Sequence, residues 1–235
     1  METMQPLVLL PGLLCDSALW RPVTDALAAE AAGAVADLTL DDSVGAMADR
    51  VLAWAPAHFA LAGLSMGGYV AQEIMRRAPD RVTRLALLDT SARADSDEQR
   101  RRRRGLIALA RQGRFKGVTP RLLPLLVHPD RLADTELVEI VTGMAERVGR
   151  DAFLRQQTAI LGRPDGIADL SRIDCPTLVL CGRQDALTPP ELHEEMAFHI
   201  PGARLVQIPD SGHLPTLERP GPTVAALRQW LTGEA

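Results

Sequence analysis

The chain has 235 residues, of which 46% are apolar and 24% charged, with 17 Pro and 18 Gly scattered as turn punctuation. This composition suits a globular chain of one large domain, or a core with one insertion, and excludes disorder and fibrous repeats. The net charge of −4 comes from 30 acidic and 26 basic groups. It gives none of the cationic field a nucleic-acid binder carries, so no nucleic-acid partner is expected.

The first apolar stretch, Leu7–Cys15, is interrupted by Pro11-Gly12 and is too short to span a bilayer. No basic region precedes it, so a cytoplasmic protein with no membrane partner is expected. Its beginning, Leu7–Leu10, reads as a buried strand ending at Pro-Gly. Ala18–Ala32 has a helical pattern, with Pro22 early enough to be tolerated, and Val35–Leu40 reads as a second strand. Ser43–Trp54 has helical spacing with Ser43 as N-cap. His58–Ala62 is a strand running into Gly63. Met66–Arg77 follows as a helix stopped near Pro79, and Val82–Leu88 is a strand ending at Asp89. After a long interval come a strand at Thr177–Cys181, a helix at Pro190–His199, a short strand at Arg204–Ile208 and a final helix holding Val224–Leu231. Strands alternating with helices imply a parallel sheet covered on both faces.

Residues 90–176 break this rhythm with helical patterns and no convincing strand. Ser96 with Gln99 resembles a capping box. A helix through Ile107 and Leu109 follows, and two more fit Asp134–Val148 and Ala152–Leu161. The expected organisation is a core of 1–89 and 177–235 with a helical cap, or lid, at 90–176. The Arg100–Arg104 run would point all round its helix, so it reads as a solvated surface and not as an anion clamp.

Gly63-Leu64-Ser65-Met66-Gly67 matches G-x-S-x-G. With seven serines and 18 glycines in the chain, such a match arises by chance in roughly 4% of comparable sequences. Its context carries more weight, because it follows an apolar strand and opens a helix, as a nucleophile elbow requires. A serine hydroxyl needs a base. Of the five histidines, His213 stands in Pro209-Asp210-Ser211-Gly212-His213-Leu214-Pro215, just past the last strand, whereas His58, His128, His193 and His199 have no such placement. The base needs an orienting carboxylate, and Asp185 in Gly182-Arg183-Gln184-Asp185 follows a strand end. Asp89 is the rival acid, while Asp210 shapes the turn before the histidine. An oxyanion needs two N–H donors. Met66 offers one at a helix N-terminus; the loop Leu10-Pro11-Gly12-Leu13-Leu14 offers the other from Leu13, with Leu14 as the neighbouring alternative. The order Ser65, Asp185, His213 is that of an α/β-hydrolase.

Taken together, L-L-P-G-L, G-L-S-M-G-G, G-R-Q-D and S-G-H-L-P resemble the α/β-hydrolase superfamily, in its small carboxylesterase-like form, over nearly the whole chain. The resemblance implies a minimal, mostly parallel sheet of about six strands with flanking helices and a helical cap, without the N-terminal hairpin of larger members. Pro11-Gly12 replaces the usual His-Gly of the first loop. The implied activity is cleavage of carboxylic esters with small to medium apolar acyl groups, through an acyl-enzyme. Ser65, Asp185 and His213 would be catalytic, and Leu13 and Met66 would hold the oxyanion. Leu14, Cys15 and Leu214 would bind substrate, with Leu122, Leu123, Leu125 and Leu126 as further apolar candidates. Another serine-triad reaction on thioesters or C–C bonds, or a lyase reaction of the menaquinone-pathway type, is the alternative. A non-catalytic binding protein is disfavoured by the complete set of residues. No cofactor or metal is expected, since no His/Cys cluster has zinc spacing. The three cysteines are expected to be reduced, and the protein to be a monomer or homodimer.

Overall fold

The structure, a computed structural model, describes residues 4–233. Six strands form one sheet: β1 (Gln5–Leu10), β2 (Ala31–Val35), β3 (Phe59–Leu64), β4 (Val82–Leu88), β5 (Thr177–Gly182) and β6 (Arg204–Ile208). Their order is β2-β1-β3-β4-β5-β6, and every adjacent pair is parallel. The strands are short apolar runs because both faces of the sheet are covered. Successive side chains fall into opposite layers. Leu7, Leu9, Ala62, Leu64, Leu88 and Leu180 pack with α1 (Arg21–Ala26) and α9 (Pro220–Thr232). Val8, Leu10, Leu61, Leu87 and Val179 pack with α2 (Val44–Trp54), α3 (Met66–Arg77) and α7 (Pro190–His199). No helix among the described residues is long and apolar enough to cross a membrane.

Two expectations near the N-terminus need correction. The helix expected over Ala18–Ala32 is a 3-10 turn at Ser17–Leu19 followed by the six-residue α1. Residues 31–35 are already β2, so the second strand lies earlier than Val35–Leu40. Ala31-Ala-Gly-Ala-Val has little strand propensity of its own. It is extended because β1 offers it a ladder, with Leu7 opposite Gly33 and Leu9 opposite Val35. Beyond it, the Asp37 carboxylate accepts the Thr39 N–H at 2.9 Å and the Thr39 hydroxyl at 2.6 Å, a side-chain turn that replaces the ladder.

Between β4 and β5 lie α4 (Asp97–Arg111), α5 (Leu123–Leu126) and α6 (Thr135–Gly162), with no strand among the described residues there. Ser96 and Gln99 form the full capping box that starts α4. The two helical stretches expected at 134–148 and 152–161 are the halves of α6, broken where Gly149 adopts φ 74, ψ 178. The short α5 had no sequence expectation. Within the arginine run, Arg103 turns inward to Asp95 at 2.7 Å and Gln157 at 2.9 Å, while Arg101, Arg102 and Arg104 are exposed. The last helical elements are α8 (Pro215–Glu218) and α9.

Candidate active site

Four non-glycine residues have positive φ among the described residues: Leu14 (60°), Ser65 (55°), Asp89 (43°) and Asp210 (52°). Each follows the C-terminal end of a strand: β1, β3, β4 and β6 respectively. Such backbone is disfavoured for residues with a Cβ and persists only where its surroundings over-determine it. The strain marks one edge of the sheet, the edge where open parallel sheets bind ligands.

Ser65 sits between β3 and α3 with φ 55, ψ −115. Its N–H donates to the Leu88 carbonyl at 2.9 Å, and its own carbonyl accepts the Thr90 hydroxyl at 2.8 Å. Sequence forces the turn to be this tight. A Cβ on Gly63 would collide with the Gly67 backbone, and one on Gly67 would collide with the Leu10 carbonyl. The helix start therefore lies directly against β1 and β3, and the Ser65 side chain is left half-buried. Across from it, a Cβ on Gly12 would stand 3.4 Å from Ser65 Cβ and 3.6 Å from Cys15 Sγ. The first loop and the elbow thus touch.

Past β5 and β6, Asp185 Oδ2 and His213 Nδ1 are 2.8 Å apart, and both side chains are almost wholly buried. The Asp185 carboxylate is also given the Leu187 N–H at 2.8 Å, the Thr188 N–H at 3.1 Å and the Thr188 hydroxyl at 2.6 Å. Burial would raise this carboxyl, but the His213 ring and the Thr188 donors outweigh it and lower it to about 2. The loop bearing His213 is held by Glu218, a buried residue of α8. Glu218 Oε1 accepts the Gly212 N–H at 2.9 Å and the Leu214 N–H at 3.1 Å, and Oε2 accepts the His128 N–H at 2.6 Å. The His213 N–H itself donates to the Leu126 carbonyl at 3.0 Å.

Two more titratable groups lie beneath this pair. Asp89 Oδ1 accepts the Gly182 N–H at 2.9 Å, and burial together with the nearby Asp185 charge raises its carboxyl well above the ordinary range. Asp89, Asp185 and His213 each bring one O or N atom within 4.8 Å of the others, the grouping among the described residues that could hold a metal. The hydrogen bond already joining His213 Nδ1 to Asp185 engages two of those atoms. His193 is fully buried on α7, and its Nε2 accepts the Thr90 N–H at 2.9 Å. Burial lowers its imidazole to about 4, so it is a neutral acceptor at physiological pH.

The remaining expected residues are distributed around this edge. Leu14 packs with Ala110, Ala145 and Phe153 of the insertion, and its N–H donates to Gln156 Oε1 at 3.1 Å. Leu13 is half-buried against the same cluster, and the Met66 side chain is buried in the core. Cys15, its thiol pushed up to about 12 by burial, lines a cavity of about 190 Å³ with Pro11, Asp16, Val35 and Leu38. Leu214 lies in the core cluster with Leu123 and Val127, and Leu126 packs against it. Sequence reasoning did not single out Glu218, Thr188, Gln156 or Thr90. Each acts through a contact made only in the folded chain.

The pattern of the alpha/beta hydrolase family matches residues 7–227. A pimeloyl-[acyl-carrier protein] methyl ester esterase of Chromobacterium violaceum is 32% identical over 196 residues, covering 81% of this chain and 76% of that protein. A thermophilic esterase of Thermogutta terrifontis superposes with a TM-score of 0.87 at 32% identity, over 98% of this chain and 90% of that one. The enol-lactonase of Burkholderia xenovorans shares the fold, with a TM-score of 0.89 at 24% identity over 98% and 92% of the two chains.

Proposed function

The chain belongs to the alpha/beta hydrolase family and is an ester-cleaving hydrolase, and from that premise we propose that it is a serine hydrolase working through an acyl-enzyme on carboxylic esters with small to medium apolar acyl groups. Ser65 Oγ attacks the ester carbonyl while His213 Nε2 takes its proton. The tetrahedral oxyanion is held by the N–H groups of Leu13 and Met66. The Leu14 N–H is already given to Gln156, which favours Leu13 as the loop's donor. His213 then passes the proton to the departing alcohol, leaving Ser65 acylated. Water, deprotonated by the same imidazole, releases the acid and restores the serine. Asp185 holds the Nδ1–H throughout and balances the imidazolium charge. The observation that carries the reading is the buried Asp185–His213 hydrogen bond at the same sheet edge as a serine in strained backbone.

Residues 90–176 serve as the lid over this edge, with 1–89 and 177–235 as the core. Phe153 and Ala145 of the lid meet Leu14, and Leu14, Cys15 and Leu214 supply the apolar acyl surface. The substrate is a small-molecule ester in the cytoplasm. The C. violaceum relative is named for a methyl ester, so methyl esters belong in the first assay.

The test is to treat the purified protein with a fluorophosphonate and locate the adduct by peptide mass. A series of p-nitrophenyl and methyl esters of rising acyl length is then compared with matched thioesters and C–C substrates. Labelling at Ser65 with preferred turnover of the esters is expected. Ester turnover that survives in Ser65→Ala, or a protein that labels elsewhere, overturns the proposal. Preferred cleavage of thioesters or C–C bonds would retain the triad and replace the substrate class.

A further inference from the structure

Asp89 is fully buried at the end of β4, in left-handed backbone with φ 43. Its two carboxyl oxygens are treated differently. Oδ1 accepts the Gly182 N–H, and Oδ2 meets no hydrogen-bond donor. The groups facing it come from every neighbouring element. β5 and its loop bring Cys181 and Asp185, the loop after β6 brings His213, and α8 brings Glu218. From α7, His193 reaches the adjoining Thr90 N–H. No arginine or lysine stands among them, and the Nδ1–H of His213 is engaged by Asp185.

An ionised carboxyl buried with one oxygen unanswered is costly. Beside a second carboxyl it is costlier, because close carboxylates share charge unequally. Asp185 has three donors of its own besides His213, from Leu187 N and from the Thr188 N–H and hydroxyl, and Asp89 has one. The pair's negative charge therefore settles on Asp185, and the pair's proton on Asp89. A protonated Oδ2 ceases to be an orphaned acceptor and becomes a donor, and the Asp185 carboxylate, with an oxygen within 4.8 Å of an Asp89 oxygen, is the acceptor at hand.

We propose that Asp89 is a neutral carboxylic acid whose Oδ2–H donates to the Asp185 carboxylate, which makes it a positioning residue for the acid of the triad. One side chain then ties the end of β4 to both the end of β5, through Gly182 N–H, and the acid-bearing loop three residues further on. Asp185 gains a further donor that holds its carboxylate in the plane His213 needs. The left-handed backbone at Asp89 is what turns the side chain inward from the strand end toward β5.

The proposal takes the roles of Asp185 and His213 from the proposed function, so its test includes a readout that needs no turnover. In protein labelled with carboxyl-13C aspartate, one carbon signal should keep the shift of a protonated acid between about pH 5 and 9 and vanish in Asp89→Asn. In kinetics, Asp89→Asn still offers an N–H to Asp185 and a carbonyl to Gly182. It should lower kcat/KM by roughly threefold or less and leave the acidic limb of its pH profile in place, whereas Asp89→Ala should lower it about tenfold or more. A 13C signal showing Asp89 ionised at pH 7 overturns the proposal. So does an acidic limb that moves to lower pH in Asp89→Asn, since that shift reports the loss of a negative charge beside His213. A protein that cleaves no ester yet keeps Asp89 protonated would sink the proposed function while supporting this proton assignment.

Discussion

Glu218 is the residue whose removal the structure prices most directly. Its carboxyl oxygens accept three buried backbone N–H groups, from His128, Gly212 and Leu214, and its side chain is all but sealed from solvent. Glu218→Ala leaves all three donors unanswered. At about 1–3 kcal/mol for each unsatisfied buried donor, the loss is about 3–9 kcal/mol, reduced if water enters the space. That is a large part of the 5–15 kcal/mol that holds a typical domain together, so partial unfolding is the expected phenotype. Glu218→Gln separates the contributions. The amide oxygen can still serve Gly212 and Leu214, which share Oε1, but the NH2 group now faces the His128 N–H as donor against donor. Losing that one bond should cost about 1.5–3 kcal/mol, or roughly 3–12 °C in melting temperature for a chain of this size. Because Gly212 and Leu214 flank His213, kcat for ester hydrolysis should fall further than KM changes, and Gln should recover part of what Ala loses. Thermal melts followed by circular dichroism, with kinetics on the same samples, check both. A Glu218→Ala protein that melts within about 1 kcal/mol of the parent would refute the reasoning.

Ser65→Ala should lower ester turnover by on the order of 10⁴–10⁶ with the melting temperature kept, and near-parental turnover in the purified variant would end the nucleophile assignment. His193 is held at about 4 by burial, against about 6.5 for a free imidazole. As pH falls through that window the unfolded chain takes up a proton that the folded chain refuses, so stability is full above 6.5 and drains by up to about 3 kcal/mol toward pH 4. His193→Gln, which keeps an acceptor for the Thr90 N–H, should flatten that part of the melting-temperature profile; identical slopes in both proteins would show that His193 does not set it. If the proposed lid lines the acyl pocket, Phe153→Leu, which shortens the side chain packed with Leu14, should move the preferred acyl length upward by a carbon or two. It should leave the rate of fluorophosphonate labelling within roughly threefold, and a change confined to labelling would place Phe153 outside the acyl pocket.

Elements with local signals were legible in the sequence. The bounds of α3, β4 and α7 follow from an apolar run, a helical period and a flanking proline or glycine. The caps at Ser43 and Ser96 follow from the chemistry of a side chain three residues from the N–H it serves. The G-x-S-x-G turn after a strand and the loops past the last two strands pointed to Ser65, Asp185 and His213, and the structure brings the last two into direct contact. β2 was misplaced because Ala31–Val35 owes its extended state to β1 and not to its own composition. His193 looked like a residue on a charged helix, since Glu191, Glu194 and Glu195 surround it in sequence. Its position on α7 faces inward with Met196, and both are fully buried. Gln156 and Glu218 could not be found by any local rule. Their partners lie 142 residues away for Leu14 and 90 away for His128.

The same long contacts bear on how the proposed lid at residues 90–176 could move. The insertion grips the first loop through Gln156, which accepts the Leu14 N–H and donates to the Leu38 carbonyl at 3.2 Å. It grips the histidine loop at a second place, where the Leu126 carbonyl takes the His213 N–H and the His128 N–H is given to Glu218. Opening all of residues 90–176 as one rigid body would break both sets, and the second set is what holds the His213 loop. The segment from Leu123 to Arg131 therefore belongs with the His213 loop. It stays seated through Leu123 and Val127 in the core cluster and through the Arg131 guanidinium on the Glu218 carbonyl. Any opening that preserves the Asp185–His213 geometry has to be carried by α4 and α6. The first half of α6 meets the core through Leu137, Val141 and Met144 in that same buried cluster and through Arg147–Asp16, a 2.7 Å pair at the surface, and its second half is pinned by Gln156 and by Arg155 on the Thr39 carbonyl at 2.7 Å. Gly149 divides those halves with the one break in the helix. Lifting the half before it would therefore expose Leu137, Val141 and Met144, so that half is seated by burial even though the loops around Ser65 and His213 could keep their hydrogen bonds.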